Sequence, residues 1–206
     1  MGDGVRLADR IEAKAKEAGA EIVEFTELRV EGMEWVRSAV VLGLSALNPL
    51  VTAGIRYPSW RKPRMVVDVL LGDIAREVAE FMRSLGYRVE VLTERHGVDL
   101  RLVAQRAGAG VVGRSGLLIT PQFGPRVRMT ALVSDARLRS RRKPPESPCR
   151  GCRRCVSACP RGVLEGFRAE ECAAQLMREG WVVLRCSACV DACPAGGEAY
   201  ERGRGA

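Results

Sequence analysis

Apolar residues recur at helical spacing in three stretches of the chain. From Val5 to Ala18, residues Leu7, Ile11, Ala15 and Ala18 share one face and Gly19 supplies a stop, which predicts an amphipathic helix. The period is clearest from Arg64 to Leu85. Val67, Leu70, Leu71, Ile74, Val78, Phe81, Met82 and Leu85 follow at three- and four-residue steps, and Gly86 ends the run. Val98 to Ala107 predicts a shorter helix closed by Gly108. Strand patterns lie between: Glu21 to Phe25, Ser38 to Leu44, Tyr87 to Leu92, Leu117 to Ile119 and Val127 to Val133. Ser38 to Leu44 is almost wholly apolar and is expected to be a buried strand. Residues Asn48 to Pro63 carry Pro49, Gly54, Pro58 and Pro63 and predict a loop that holds Tyr57 and Trp60. A loop of that length in a compact domain is often functional. A helix leading back into a strand is the α/β rhythm, so the expected fold class is an α/β (α+β) domain over residues 1–138.

The chain has 206 residues and 47% hydrophobic content, enough for one domain and a smaller second one. No apolar run approaches the ~18 residues of a membrane span. The segment Met1 to Arg6 lacks the apolar core of a signal peptide. A soluble, cytoplasmic protein with no membrane partner is expected. From Arg137 to Pro148 the chain carries Arg137, Arg139, Arg141, Arg142, Lys143 and three prolines. That composition predicts a basic linker at residues 139–148, a domain boundary exposed to solvent. No aromatic residue interleaves with these cations, so single-stranded nucleic acid is not the expected partner.

All eight cysteines fall after that boundary. Cys149, Cys152, Cys155 and Cys159-Pro160 form the C-x2-C-x2-C-x3-C-P run of two-cluster bacterial ferredoxins. Cys186, Cys189 and Cys193-Pro194 repeat its ending, with the remaining cysteine displaced upstream to Cys172. Closely spaced thiolates in a tight loop wrap one face of a cube, and the cysteine before proline is thrown across to the other. Cys149, Cys152, Cys155 and Cys193 are therefore expected to hold one [4Fe–4S] cluster. Cys159, Cys172, Cys186 and Cys189 are expected to hold the other. Zinc would explain paired C-x2-C steps but not the third cysteine and the C-P ending. Disulfides would need an oxidising compartment. Two loaded clusters would bring the formal charge of +8 down to about +4. Arg150, Arg153, Arg154 and Arg161 lie close to the first cysteines, where positive charge favours a reduced cluster and an acidic electron donor. Residues 149–206 are thus read as a ferredoxin-like domain.

Gly108-Ala109-Gly110-Val111-Val112-Gly113 formally matches the G-x-G-x-x-G dinucleotide fingerprint. The context is wrong. A helix pattern precedes it, and Gly116, a strand pattern and Pro121 follow, whereas the fingerprint needs a strand before and a helix after. A mobile turn, or a backbone that approaches a flat ligand closely, is the remaining reading.

The longer block from Arg106 to Arg128 resembles the segment upstream of the clusters in epoxyqueuosine reductases and corrinoid reductive dehalogenases. Ser134-Asp135, the helix ending Leu85-Gly86-Tyr87, and the thirteen residues between Cys172 and Cys186 are similar to the same families. The resemblance covers roughly Ala39 to Pro194. It implies an α/β domain holding cobalamin, fed single electrons by two clusters from a low-potential donor of ferredoxin or flavodoxin type. Gly110, Gly113, Arg114, Ser115, Gly116 and Leu118 would then face the corrin. Glu94 stands where those reductases carry an acid, although an exposed carboxylate is the plainer reading and proton donation would need burial to raise its pKa. Tyr57 is a second candidate donor. His96, the lone histidine, does not fit a corrinoid-ligand pattern and is expected to have no special role. The chain reads as a short form without the C-terminal repeat tail that epoxyqueuosine reductases use near tRNA, so tRNA is not the expected partner. A homodimer or partner enzyme would help enclose a corrin. The expected function is an iron–sulfur oxidoreductase acting through cobalamin on a small organic or modified-nucleoside substrate. The competing expectation is a non-catalytic electron carrier, in which Trp60 or Phe123 fills the space a corrin would take.

Overall fold

The computed structural model describes residues 2–46, 62–93, 96–165 and 188–197. Its centre is a four-stranded sheet made of β1 (Ile22–Glu27), β2 (Ser38–Ser45), β3 (Val89–Val91) and β6 (Val127–Ser134), in the order β1-β2-β6-β3. Every neighbouring pair is antiparallel. The α/β rhythm survives in altered form. Helix α2 (Lys62–Ser84) lies between β2 and β3 in the chain, yet β6 is inserted between those two strands in the sheet. The parallel pair implied by strand–helix–strand order is therefore split.

Both faces of the sheet are covered. On one, α1 (Gly2–Glu17) and α2 pack Ile11, Ala15, Leu71, Val78 and Met82 against Phe25, Val40, Leu42 and Leu132. On the other, α3 (Leu100–Ala107) and Leu118 pack against Ile22, Ala39, Val41, Ala131 and Val133. This explains the apolar run of β2, all eight residues of which are buried. A strand inside two layers needs apolar side chains in both directions, whatever the direction of its neighbours. Each buried leucine contributes about 1.5–3 kcal/mol.

Helix α3 is set by its ends. Asp99 accepts the Arg101 backbone N–H at 2.8 Å, as an N-cap does. The Arg101 guanidinium and this backbone bond hold the Asp99 carboxyl below its usual range. Gly108 closes the helix in the left-handed region at φ 89°. The sequence then forms a small hairpin of β4 (Val111–Val112) and β5 (Leu118–Ile119), with Val111 opposite Ile119. The helix before and hairpin after exclude the dinucleotide-binding arrangement, which needs the reverse.

The basic stretch after β6 is coil but not a free connector. Leu138 is fully buried. Ser140 Oγ lies 3.1 Å from the Arg106 carbonyl at the end of α3. Arg141 pairs with Asp9 at 2.6 Å and Glu12 at 2.9 Å on α1, and Arg142 lies 3.3 Å from Glu24 on β1. Burial raises the Glu24 pKa, with Arg142 opposing it. Cations that read as solvated in the sequence instead tie the chain to the body of the domain, because carboxylates of α1 and β1 lie within their reach. Among the described residues no helix is long and apolar enough to cross a membrane.

Candidate metal centre

The tip of the β4–β5 hairpin meets the start of the cysteine-rich segment. Gly113 donates its N–H to the Leu117 carbonyl at 2.9 Å, and Arg114 donates its N–H to Cys149 Sγ at 3.5 Å. A Cβ on Gly113 would lie 2.6 Å from Ile119 Cγ1 and 3.2 Å from that sulfur. The residue must be glycine for the hairpin to approach the thiol so closely. Cys149 itself donates its backbone N–H to Ser147 Oγ at 3.3 Å. The short helix α4 (Arg154–Ala158) carries Cys155, and Cys193 follows helix α5 (Ala188–Asp191).

These elements bring Cys149, Cys152, Cys155 and Cys193 around one small cavity of about 40 Å³, with Ser115 and Ile119 of the hairpin on its wall. Arg154 borders the same space. Burial is the main cause that raises the Cys155 pKa, and charge on Cys149, Cys193 and Cys152 adds to it. Cys155 is therefore costly to ionise without metal. Among the described residues no three metal-ligating side chains converge as they would on a single ion. A [4Fe–4S] cube differs in taking one thiolate at each iron, so its ligands ring a volume and do not meet at a point. The ring of thiols fits that group.

Cys159 is placed differently. Burial pushes its thiol up, but backbone N–H groups of Arg161, Val163, Leu164 and Gly162 outweigh this and leave its pKa lowered. Amide donors around a sulfur are a common way for a protein to favour a thiolate and a reduced cluster. Cys172 and Cys186 lie outside the described residues, as do Tyr57, Trp60 and Glu94.

The residues expected to face a corrin divide into two groups. Gly113, Arg114 and Ser115 lie at the cysteines. Gly110 and Leu118 do not face outward. A Cβ on Gly110 would lie 2.4 Å from the Ile119 carbonyl oxygen, and Leu118 is buried in the core against α3. Gly116 serves the hairpin turn, and its carbonyl accepts from Arg101 Nη1 at 2.8 Å. The close backbone approach legible in the glycines is thus made to the protein's own hairpin and to a cysteine. Within the described part of this block, Gly110 and Leu118 are taken up by internal packing, while Gly113, Arg114 and Ser115 stand at the cysteines. Phe123 packs on the core layer beneath the sheet. His96 Nδ1 lies 2.8 Å from the backbone N–H of Thr93 and stays a loop residue with a local bond. Arg153 pairs with Glu165 at 2.5 Å, so the basic character near the first cysteines is partly neutralised.

Sequence reasoning missed Arg126. Its guanidinium is buried and donates to the carbonyls of Ala195 at 3.1 Å, Val190 at 2.9 Å and Cys193 at 2.7 Å. Beside it, two glycines close the same contact. A Cβ on Gly124 would lie 2.1 Å from the Ala195 carbonyl oxygen, and one on Gly196 2.3 Å from the Gly124 nitrogen. A turn of the α/β layer is thereby clasped to the loop that presents Cys193. The sequence carries a faint signal for it: an arginine directly after Phe123-Gly124-Pro125 at the start of a strand.

An α/β sandwich whose hairpin tip and β6 turn seat a cysteine-ringed cavity defines an iron–sulfur protein. A family model described as "4Fe-4S binding domain" matches residues 146–162 and 169–196. The tetrachloroethene reductive dehalogenase of Desulfitobacterium hafniense is 37% identical over 98 residues, 44% of this chain and 17% of that protein. The epoxyqueuosine reductase of a Synechocystis species is 31% identical over 191 residues, 77% of this chain and 62% of that protein. A crystal structure of epoxyqueuosine reductase with an epoxyqueuosine-modified tRNA stem loop superposes with a TM-score of 0.74 and 18% identity, over 95% of this chain and 66% of that one. The chain is thus similar in sequence to epoxyqueuosine reductases and reductive dehalogenases and carries a 4Fe-4S binding domain. It spans about a sixth of the length of the dehalogenases it matches and less than two thirds of that epoxyqueuosine reductase.

Proposed function

We propose that this protein is an iron–sulfur oxidoreductase that relays single electrons through two [4Fe–4S] clusters to a bound cobalamin, which reduces a small organic or modified-nucleoside substrate. The observation that carries the relay is the convergence of Cys149, Cys152, Cys155 and Cys193 on one cavity beside the hairpin tip. These four would ligate one cluster, and Cys159, Cys172, Cys186 and Cys189 the other. A ferredoxin- or flavodoxin-type donor would deliver the electrons. Cobalamin rests on kinship with the two reductase groups; when bound it would supply a strongly nucleophilic reduced metal. The chain's own part is to hold the clusters, shield them from water and set their potentials through Arg126, the Arg114 N–H and the amides at Cys159. Glu94 and Tyr57 are the proposed proton donors.

A second reading has an observation in its favour. Gly110 and Leu118 are consumed by internal packing, which suits a non-catalytic electron carrier that docks to a partner enzyme. Electron paramagnetic resonance separates the two. Anaerobically reconstituted protein is mixed with cob(II)alamin and recorded before and after a low-potential reductant. A base-off cob(II) signal that disappears on reduction supports the reductase. Free-solution cobalamin beside reducible clusters supports the carrier.

A further inference from the structure

The end of the sheet away from the cysteines holds an arginine-lined concavity of about 570 Å³. β1 ends there and β2 begins, with Glu27 opposite Ser38 and Ser38 opposite Ser134 at the end of β6. The other end of β6 starts beside Arg126 and the Cys193 loop. Eight residues of strand place the concavity roughly 25 Å from that clasp.

Arg29, Arg37, Arg106, Arg137 and Arg139 line it, and Glu27 is the single acidic residue among the lining side chains. Arg139 lies 3.4 Å from Glu27, but both are largely exposed and the pair is weak. Arg29 and Arg37 donate to the carbonyl of Val36, and Arg37 also to that of Glu34; these bonds orient the guanidiniums without neutralising them. No carboxylate among the described residues pairs with Arg106 or Arg137. The floor is made by Leu28 and Leu138, both buried. The result is a concave site with a net of four positive charges. This contrasts with the neighbouring Arg141 and Arg142, which are tied to carboxylates of α1 and β1.

We propose that this concavity binds a small anion carrying two or three linked phosphate groups, free or at the end of a nucleotide. Guanidinium forks match phosphate oxygens two at a time, and several forks around one concavity suit an anion of three or four charges better than a single carboxylate. The volume is in the range of small-ligand sites. An electron donor is a poor fit, because docking there leaves it too far from the cysteines. Single-stranded nucleic acid is a poor fit as well, since no aromatic side chain lines the site for a base to stack on.

The test is calorimetric titration of the anaerobic full chain with sodium tripolyphosphate, pyrophosphate, inorganic phosphate and a ten-nucleotide RNA. One saturable site for tripolyphosphate is expected, with inorganic phosphate at least tenfold weaker. The double variant Arg106→Gln/Arg137→Gln should weaken tripolyphosphate at least tenfold with an unchanged melting midpoint. Arg106→Lys/Arg137→Lys should weaken it about threefold, because charge remains but the fork is lost. Lys16→Gln/Arg76→Gln removes the same charge from the opposite helical layer and should bind as the parent does. Absence of saturable binding, equal loss in the Lys16/Arg76 variant, or tighter binding of the RNA than of tripolyphosphate would each overturn the proposal.

Discussion

Replacing Arg126 by glutamine should lower the reduction potential of the cluster proposed at Cys149, Cys152, Cys155 and Cys193. The guanidinium lies 2.7 Å from the Cys193 carbonyl oxygen. A cysteine's carbonyl oxygen and its own sulfur are roughly 3–4 Å apart, which puts the charge roughly 7 Å from the thiolate by covalent geometry. At an effective dielectric of about 20, a unit charge at that distance is worth roughly 2.4 kcal/mol to an added electron. For a one-electron couple this is roughly 100 mV. The electron is spread over the cube and lies farther away on average, so a fall of about 50–100 mV is expected. Loss of positive charge makes the cluster harder to reduce, which sets the sign. The assay is an anaerobic redox titration followed by electron paramagnetic resonance, with iron counted in the same samples and the other cluster as internal reference. Arg126→Lys keeps the charge but cannot serve three carbonyls at once, so it should retain most of the potential while loosening the clasp. A full-iron Arg126→Gln protein whose midpoint stays within about 15 mV of the parent would refute the electrostatic reasoning.

Three further outcomes are expected. Gly196→Ala should destabilise the seat of Cys193 by about 1–3 kcal/mol, since glycine there has φ 73° and its added Cβ would meet the Gly124 nitrogen at 2.3 Å; a lower thermal midpoint with early loss of iron checks this. Cys193→Ala should reduce the iron content from about eight atoms per chain to about four, with one reduced-cluster signal lost and the other kept. Glu24 carries a folded-state pKa raised by burial, so its contribution to stability is present below the ordinary glutamate range and is lost as pH rises through the raised value. Glu24→Gln should flatten that part of a urea-midpoint profile above the ordinary glutamate range, and a profile with unchanged slope would assign the dependence to another group.

Local pattern was sufficient wherever one face or one short spacing carried the information. The helices of Leu7 to Ala15 and Val67 to Met82 follow from their apolar period, because each needs only one face buried. The β2 strand follows from its unbroken apolar run. The iron–sulfur character follows from cysteine spacing alone, because thiolates two residues apart in a tight loop can wrap a cube before any distant contact exists. The same sequence left its glycine block ambiguous. Close approach was legible in Gly110 and Gly113, but what they approach was not: one meets the Ile119 carbonyl, the other a cysteine thirty-six residues onward. Tertiary structure alone decided that β6 is inserted between β2 and β3, that the arginines after β6 strap the chain and do not merely solvate it, and that Arg126 grips the Cys193 loop. All of these join residues far apart in the chain. Spacing encodes what a few neighbouring residues can do together, whereas a guanidinium's partner is set by which carbonyls the packed layers bring within reach.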